Sequence, residues 1–228
     1  MDPSSSSVNT AATGYPRCFG DSGRCWIPTA GTTPGSLVMV TALASTCRAP
    51  LVASTASRLL VDLNRSIGHP QLFPAATRST PTQTRAQIVE HHYRPHRVQV
   101  EGLVGQAVSR ADRVIHISSH NFTAQLDGSM RGADVGLLYH RGRRGEAEVC
   151  ARWKESLAAP APELRVRRNY PYAGKGDGLA SHLRLRFAPS DYVRIELEVN
   201  QGIVLAAGRR WMALRRVLID SLRTACAA

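Results

Sequence analysis

Apolar and polar positions along the chain follow two patterns, one typical of helices and one typical of strands. The apolar residues between Leu37 and Cys47 suit a helix of about three turns, while short runs of aliphatic residues bounded by turn formers predict strands. The predicted strands are 51–54, 59–63, 114–117, 135–139, 164–167 and 192–199. The predicted helices are 37–47, 82–110 with a break or kink near Pro95, 146–157, 179–187 and 211–226. Strands that alternate with helices predict an α/β layered fold in a single domain.

Two kinds of segment interrupt this pattern. Residues 1–35 are rich in Ser, Gly, Pro and Thr and have little apolar periodicity, which predicts an irregular or flexible N-terminal segment ahead of one α/β domain at 36–228. Residues 68–81 and 169–178 are predicted loops. The second of these is rich in turn residues and long enough to form the wall of a pocket.

The charge of the chain is high but dispersed. The net charge is +12, and all but two of the 29 basic residues are arginines that occur in every predicted element. Such a distribution is typical of coding bias. A nucleic-acid surface would more often concentrate its cations in a stripe with interleaved aromatic residues, and aromatic residues make up only 6% of this chain. A basic nucleic-acid-binding protein is therefore the weaker alternative.

The cysteines and the apolar runs indicate in which cellular compartment the protein functions. Five cysteines, an odd number with wide spacing and no C-x-x-C pair, suggest neither a disulfide framework nor a zinc ribbon. No run of about 18 apolar residues occurs, and the N-terminus lacks the basic-then-apolar order of a signal peptide. We expect a cytoplasmic protein that does not interact with a membrane.

The first candidate for chemistry is the stretch from Val114 to Thr123, where an apolar run turns polar. It contains His116 and His120 at the point where a parallel strand would leave the sheet, the edge at which ligands of α/β proteins bind. Neutral imidazole is a common zinc ligand, and His120, nearer the predicted loop, is the better candidate of the two. The alternative is that these are ordinary core histidines.

A second candidate is the tetrapeptide Asp62-Leu-Asn-Arg65. The planar guanidinium of Arg65 can bind a carboxylate through two parallel hydrogen bonds, and Asn64 can hold either that guanidinium or a substrate amide. The alternative is a structural pair between Asp62 and Arg65.

A third candidate is the predicted strand that contains Glu196 and Glu198. Alternation places both carboxylates on one face and Ile195, Leu197 and Val199 on the other. A carboxylate of raised pKa beside a metal-bound water is the kind of general base that amide hydrolysis requires. The alternative is an edge strand with one solvated face.

Taken together, these stretches resemble the N-formylglutamate amidohydrolase family. The resemblance covers about residues 36–201 and rests on an ordered set of motifs. They are Ala49-Pro-Leu-Val, Ser57-Arg-Leu-Leu-Val-Asp-Leu-Asn-Arg-Ser66, His116-Ile-Ser-Ser-His-Asn-Phe-Thr123, Asp134-Val-Gly-Leu-Leu-Tyr139, Asn169-Tyr-Pro-Tyr172, Asp177-Gly-Leu179 and Ile195-Glu-Leu-Glu-Val-Asn-Gln201.

The resemblance implies a fold, a reaction and roles for several residues. The implied fold is a mixed central sheet flanked by helices, similar to the zinc aspartoacylase and carboxypeptidase group. The implied reaction is zinc-assisted hydrolysis of a small anionic N-acyl amino acid such as N-formylglutamate. Zinc would be bound by His120, with His116 as a second candidate. The catalytic carboxylate would be Glu198, with Glu196 beside it, and the substrate would be bound by Arg65, Asn64 and Asn121.

One part of the family pattern is missing from this sequence. Family members have, before the first helix, a segment with Glu-His followed by His-Arg-Gly and an Asp, which completes the metal site. Here the first histidine is His69 and the first glutamate is Glu90. The nearby substitutes are Asp2, Cys18, Asp21 and Cys25. We therefore expect weak zinc binding and impaired hydrolysis, and the alternative is an inactive homologue that binds a carboxylated ligand.

Overall fold

The computed structural model describes residues 24–30, 35–110, 113–206 and 208–227. In chain order the elements are β1 (Arg24–Ala30), α1 (Ser36–Cys47), β2 (Val52–Ala53), α2 (Ala75–Arg78), α3 (Thr82–Ile88), a π-helical turn (Val89–Tyr93), α4 (Arg94–Ser109), β3 (Arg113–Phe122), β4 (Gln125–Leu126), β5 (Ser129–Met130), β6 (Val135–Leu138), α5 (Arg144–Ala158), β7 (Val166–Arg168), α6 (Leu179–Arg186), β8 (Tyr192–Asn200), α7 (Gln201–Leu205) and α8 (Gly208–Ala227).

Six of the strands form one mixed sheet. Their order is β2-β1-β3-β8-β6-β7, and β4 pairs with β5 in a separate hairpin. Neighbouring strands run parallel except β6, which is antiparallel to β8. The predicted α/β fold with a mixed sheet flanked by helices is confirmed.

One face of the sheet carries the larger apolar core. The odd-numbered apolar residues of β3 and β8 point towards this face, where they pack against α1, α5 and α8. Trp153 of α5 is fully buried there, and its indole nitrogen donates to the carbonyl oxygen of Leu218 in α8 over 3.1 Å.

The opposite face is apolar only at its amino-terminal end. There α4 and α6 cover Val114 of β3 and Tyr192 of β8, with Ile27 of β1 and Val52 of β2 beside them. Towards the carboxyl ends of β3 and β8 the same face becomes polar. The covering helices thus leave a polar half of the sheet over which a pocket can form.

Two predictions about short segments were wrong. Residues 24–30, expected to be irregular, form β1 inside the sheet; Pro28 and the flanking turn formers conceal the short apolar run that contains the fully buried Ile27. Residues 59–63, expected to form a strand, form turns closed by bonds such as that from the Leu60 amide to the Ser57 carbonyl. Leu60, Val61 and Leu63 pack in a small separate core with Leu72, Ile88 and Tyr93.

The long helix predicted at 82–110 is interrupted as expected. The π-helical turn Val89–Tyr93 lies between α3 and α4 and ends two residues before Pro95. Proline has no amide hydrogen and cannot complete the regular ladder, which gives the interruption a local cause. None of the helices in the described ranges is long and apolar enough to cross a membrane.

Candidate active site

A cavity of about 280 Å³ lies at the carboxyl ends of β3 and β8. Most of its wall comes from the two strands, the turns that contain Asp62-Leu-Asn-Arg65, and the loop at 169–178, as predicted for that loop. The polar residues of its lining are Thr29, Arg58, Asp62, Asn64, Arg65, His96, Ser118, His120, Asn121, Tyr172, Asp177, Glu196 and Glu198. Arg65, His120 and Glu198, which are far apart in sequence, thus meet at one cavity.

The floor of the site is a set of facing pairs on β3 and β8. The parallel register places His116 beside Arg194, Ser118 beside Glu196, and His120 beside Glu198. Because alternate residues of a strand share a face, all six lie on the polar half of the sheet. The prediction that Glu196 and Glu198 share a face, opposite Ile195, Leu197 and Val199, is confirmed.

Glu198 is held in its protonated form at neutral pH. Only 5% of the residue is exposed, and burial, followed by the nearby charge of Glu196, raises its pKa to about 8. Its Oε2 atom is buried and has no hydrogen-bond partner in the described part of the chain. A carboxyl group in this state can hold or release a proton near neutral pH.

Glu196, two residues earlier, has the opposite character. Burial would raise its pKa, but the guanidinium of Arg194 outweighs this effect and the pKa is lowered to about 2. Arg194 donates to Glu196 Oε1 over 2.6 Å, and the side-chain amide of Asn64 lies 3.5 Å from the same oxygen. Glu196 is therefore a permanent anion whose charge raises the pKa of Glu198, which makes Glu198 the better candidate for proton transfer.

His120 is a neutral imidazole beside Glu198. Burial lowers its pKa against the opposing charge of Glu196. Its Nε2 atom is buried and forms no hydrogen bond with any described residue. Buried polar atoms without partners are uncommon in folded proteins, so His120 and Glu198 together indicate a place where a bound molecule or ion makes the missing contacts.

His116, the second candidate metal ligand, has a different place in the structure. It is fully buried beneath the cavity and does not line it. Both ring nitrogens are engaged, Nε2 with the Thr29 hydroxyl at 2.9 Å and Nδ1 with the Tyr192 hydroxyl at 2.7 Å. Because both nitrogens of His116 have hydrogen-bond partners in the core, His120 is the better placed of the two candidate zinc ligands.

Arg65 and Asp62 form only a long ion pair. The closest distance, from Arg65 Nε to Asp62 Oδ2, is 3.8 Å, whereas Arg58 approaches the same carboxylate to 3.0 Å. The side chain of Arg65 is 30% exposed and lines the cavity. Because Arg58 already serves Asp62, the planar donor edge of Arg65 is suited to a ligand carboxylate.

Close backbone packing joins the Asp62–Arg65 turns to the loop at 169–178. The carboxylate of Asp177 accepts from the Ser66 amide over 3.0 Å and from the Ser66 hydroxyl over 2.6 Å. Gly178 has φ 134°, and a Cβ atom there would lie 1.6 Å from the carbonyl oxygen of Asn64. Only glycine permits this approach, which brings the two walls of the cavity together.

Sequence reasoning missed His96, which reaches the cavity from α4. Burial and the neighbouring Arg97 lower its pKa to about 4, and its Nδ1 atom has no partner among the described residues. The sequence gives little indication that His96 belongs to the site, because it lies within a predicted helix and outside every motif of the family resemblance. Its position four residues before Val100 of the core places it on the face of α4 that covers the sheet.

The family resemblance implies zinc, and the donor atoms can be tested against that ion. A catalytic zinc usually has three protein ligands. Within the described residues no three His, Cys, Asp or Glu side chains form such a group. Asp2, Cys18, Asp21 and the side chain of Cys25, the substitutes considered from sequence, lie outside the described part. The described donors thus do not fit a complete zinc site.

The comparison with known families decides the classification. The model of the N-formylglutamate amidohydrolase family matches residues 36–205, most of the chain. The chain belongs to this family. As an N-formylglutamate amidohydrolase family member it is a hydrolase that acts on amides. Comparison with curated proteins gave no match.

Solved structures agree with this family in fold. The gene product Atu2144 from Agrobacterium tumefaciens is 20% identical, with a TM-score of 0.72 over 90% of each chain. The N-formylglutamate amidohydrolase from Ralstonia eutropha JMP134 is 18% identical, with a TM-score of 0.67 over 90% of this chain and 95% of that one. At these identities the likeness establishes the fold alone.

Proposed function

We propose that this chain hydrolyses the amide bond of a small anionic N-acyl amino acid such as N-formylglutamate. The observation that supports this most is the convergence of Arg65, His120 and Glu198 on one cavity at the carboxyl edge of the sheet. Family membership supplies the reaction class, amide hydrolysis. The cavity, at about 280 Å³, suits a small substrate.

In this proposal Arg65 binds a substrate carboxylate. Its guanidinium offers parallel donors at the cavity wall, and the carboxylate of Asp62 is already taken by Arg58. Asn64 and Asn121 line the same cavity and can donate to the polar groups of the ligand. The acyl group is then directed towards β3 and β8, where Glu198 lies.

Glu198 is the proposed proton carrier. In its ionised form it takes a proton from the water that attacks the acyl carbon, and it passes that proton to the amide nitrogen as the carbon–nitrogen bond breaks. One water is consumed, and the products are formate and the free amino acid when the acyl group is formyl. Glu196, held as an anion by Arg194, is not a second base in this scheme; its charge adds to the effect of burial in raising the pKa of Glu198.

Zinc remains part of the proposal as a weakly bound ion. His120 offers an unpartnered imidazole nitrogen in the cavity, but the described residues do not supply the further ligands of a catalytic centre. The same shortage supports the second candidate function, a homologue that binds a carboxylated ligand with little turnover. The two candidates share the ligand and differ in the rate.

Formate release from N-formylglutamate, with and without added zinc, tests the proposal. We expect less than one zinc per chain after purification, slow turnover, and loss of that turnover in Glu198→Gln. Glu155→Gln, which changes an exposed carboxylate on α5, is the matched control. Stoichiometric zinc, or turnover that survives Glu198→Gln, would overturn this assignment, whereas ligand binding without any turnover would select the second candidate.

A further inference from the structure

Two side chains from the interrupted helix meet at the backbone of Arg65. The Tyr93 hydroxyl donates to the Arg65 carbonyl oxygen over 2.7 Å, and Arg97 Nη2 donates to the same oxygen over 2.6 Å. The guanidinium of Arg97 also lies 4.8 Å from the centre of the Tyr93 ring. Both lone pairs of one carbonyl are thus used by a stacked Tyr–Arg pair four residues apart.

The π-helical turn explains how this pair faces Arg65. In a π-helix the hydrogen bond joins residues five apart, so residues i and i+5 lie near one face, whereas an α-helix would turn them well away from each other. Ile88 and Tyr93 are five apart and pack in the same small core beneath Asp62-Leu-Asn-Arg65. After the turn, regular α-helix places Arg97 above Tyr93.

The partial burial of Arg97 argues against an incidental contact. Arg97 forms no ion pair with a carboxylate in the described part of the chain, and its Nε atom is buried without a hydrogen-bond partner. Removing part of a guanidinium from water is costly unless its hydrogen bonds are made elsewhere. The contacts that offset this cost are the bond to the Arg65 carbonyl and the stacking on Tyr93.

We propose that Tyr93 and Arg97 are positioning residues that fix the backbone of Arg65 and thereby aim its guanidinium at the substrate carboxylate. The inference rests on the proposed role of Arg65. Residues 59–65 form turns rather than a paired strand, so no sheet ladder holds this backbone in place. The next residue, Ser66, is fixed by its hydrogen bonds to Asp177. Together with the Tyr93–Arg97 pair, these bonds hold the backbone of Arg65 from two directions.

Binding measured by calorimetry tests this inference independently of turnover. The two probes are N-formylglutamate and its neutral dimethyl ester, and the ratio of their affinities reports how well Arg65 is aimed. We expect Tyr93→Phe and Arg97→Met each to reduce the preference for the carboxylated probe by about 3- to 10-fold, on the scale of one hydrogen bond. Arg97→Lys, which retains a donor, should restore part of the preference.

Thr77→Val is the matched control, because the Thr77 hydroxyl donates over 2.8 Å to the Leu60 carbonyl in the same stretch of turns. It should lower the free energy of unfolding without changing the ratio of affinities. If Tyr93→Phe and Arg97→Met shift the ratio no more than Thr77→Val, the pair is structural and the inference is wrong. If the unmodified chain shows no preference for the carboxylated probe, the proposed role of Arg65 fails instead.

Discussion

At the scale of single residues, the chemistry of the site depends on the different surroundings of Glu196 and Glu198. Arg194 lies beside Glu196, so that carboxylate stays ionised, while Glu198 is buried next to the resulting negative charge. Two carboxyl groups whose pKa values are pushed apart in this way commonly divide the roles of fixed charge and proton carrier.

The raised pKa of Glu198 predicts a specific dependence of stability on pH. Its ordinary pKa is 4.5 and its pKa in the folded chain is about 8. The folded state therefore binds the proton more tightly, and this stabilisation is fully present below pH 4.5 and is lost as the pH rises through 8. Between pH 6 and pH 9 the loss is roughly 2 to 3 kcal/mol.

Urea unfolding of the chain and of Glu198→Gln, both with a chelator present, measures this loss. Between pH 6 and pH 9 the unmodified chain should lose roughly 2 to 3 kcal/mol of unfolding free energy relative to the variant, because glutamine does not ionise. Glu155→Gln should run parallel to the unmodified chain. Equal pH dependence of the chain and Glu198→Gln would show that Glu198 ionises normally.

The proposed role of Arg65 predicts that ligand binding depends on the geometry of its two donors and not only on its charge. In Arg65→Lys the charge is kept but the two parallel donors are lost, so binding of a carboxylated ligand should weaken by about 1.5 to 3 kcal/mol. A neutral amide ligand should bind almost as before. Equal weakening for both ligands, measured by calorimetry, would mean that Arg65 is a structural residue paired with Asp62.

Sequence alone predicted some residues of the site and missed others for physical reasons. Alternation along one strand was enough to place Glu196 and Glu198 on a common face. The place of His116 was not predictable, because its hydroxyl partners Thr29 and Tyr192 lie 87 and 76 residues away. His96 was missed because only the packing of α4 over the sheet brings it to the cavity.

At the scale of elements, the site depends on how closely the loop at 169–178 approaches the Asp62–Arg65 turns. Gly178→Ala would place a methyl group against the Asn64 carbonyl at an unfavourable φ, so we expect the free energy of unfolding to fall by roughly 2 to 4 kcal/mol. Gly176→Ala, in the same loop with no atom within 4 Å of the added carbon, should change it by less than about 0.5 kcal/mol. Similar losses in both variants, measured by urea unfolding, would contradict this packing.

Element prediction succeeded where the pattern was local and long. The closing helix and the strand from Tyr192 have strong periodicity, and both were placed within a few residues of α8 and β8. It failed at residues 59–63, where an aliphatic run packs in a small core of its own, and at β1, where pairing with two parallel neighbours stabilises a run interrupted by Pro28. Both outcomes depend on contacts between distant segments.

At the scale of the whole molecule, the alternation of strands and helices predicted the α/β class, and the family resemblance predicted the mixed sheet. Neither indicated the strand order, because β3 and β8 are neighbours although about 70 residues separate them. That pairing creates the polar floor on which His120 and Glu198 lie side by side. The site therefore follows from the topology as much as from any single motif.

A crystal structure of the chain with N-formylglutamate tests the central claim most directly. We predict that the ligand occupies the cavity between β3, β8 and the loop at 169–178, with a carboxylate within hydrogen-bonding distance of the Arg65 guanidinium and the formyl group facing His120 and Glu198. A ligand bound elsewhere, or one whose carboxylates avoid Arg65 while its formyl group lies away from Glu198, would contradict it.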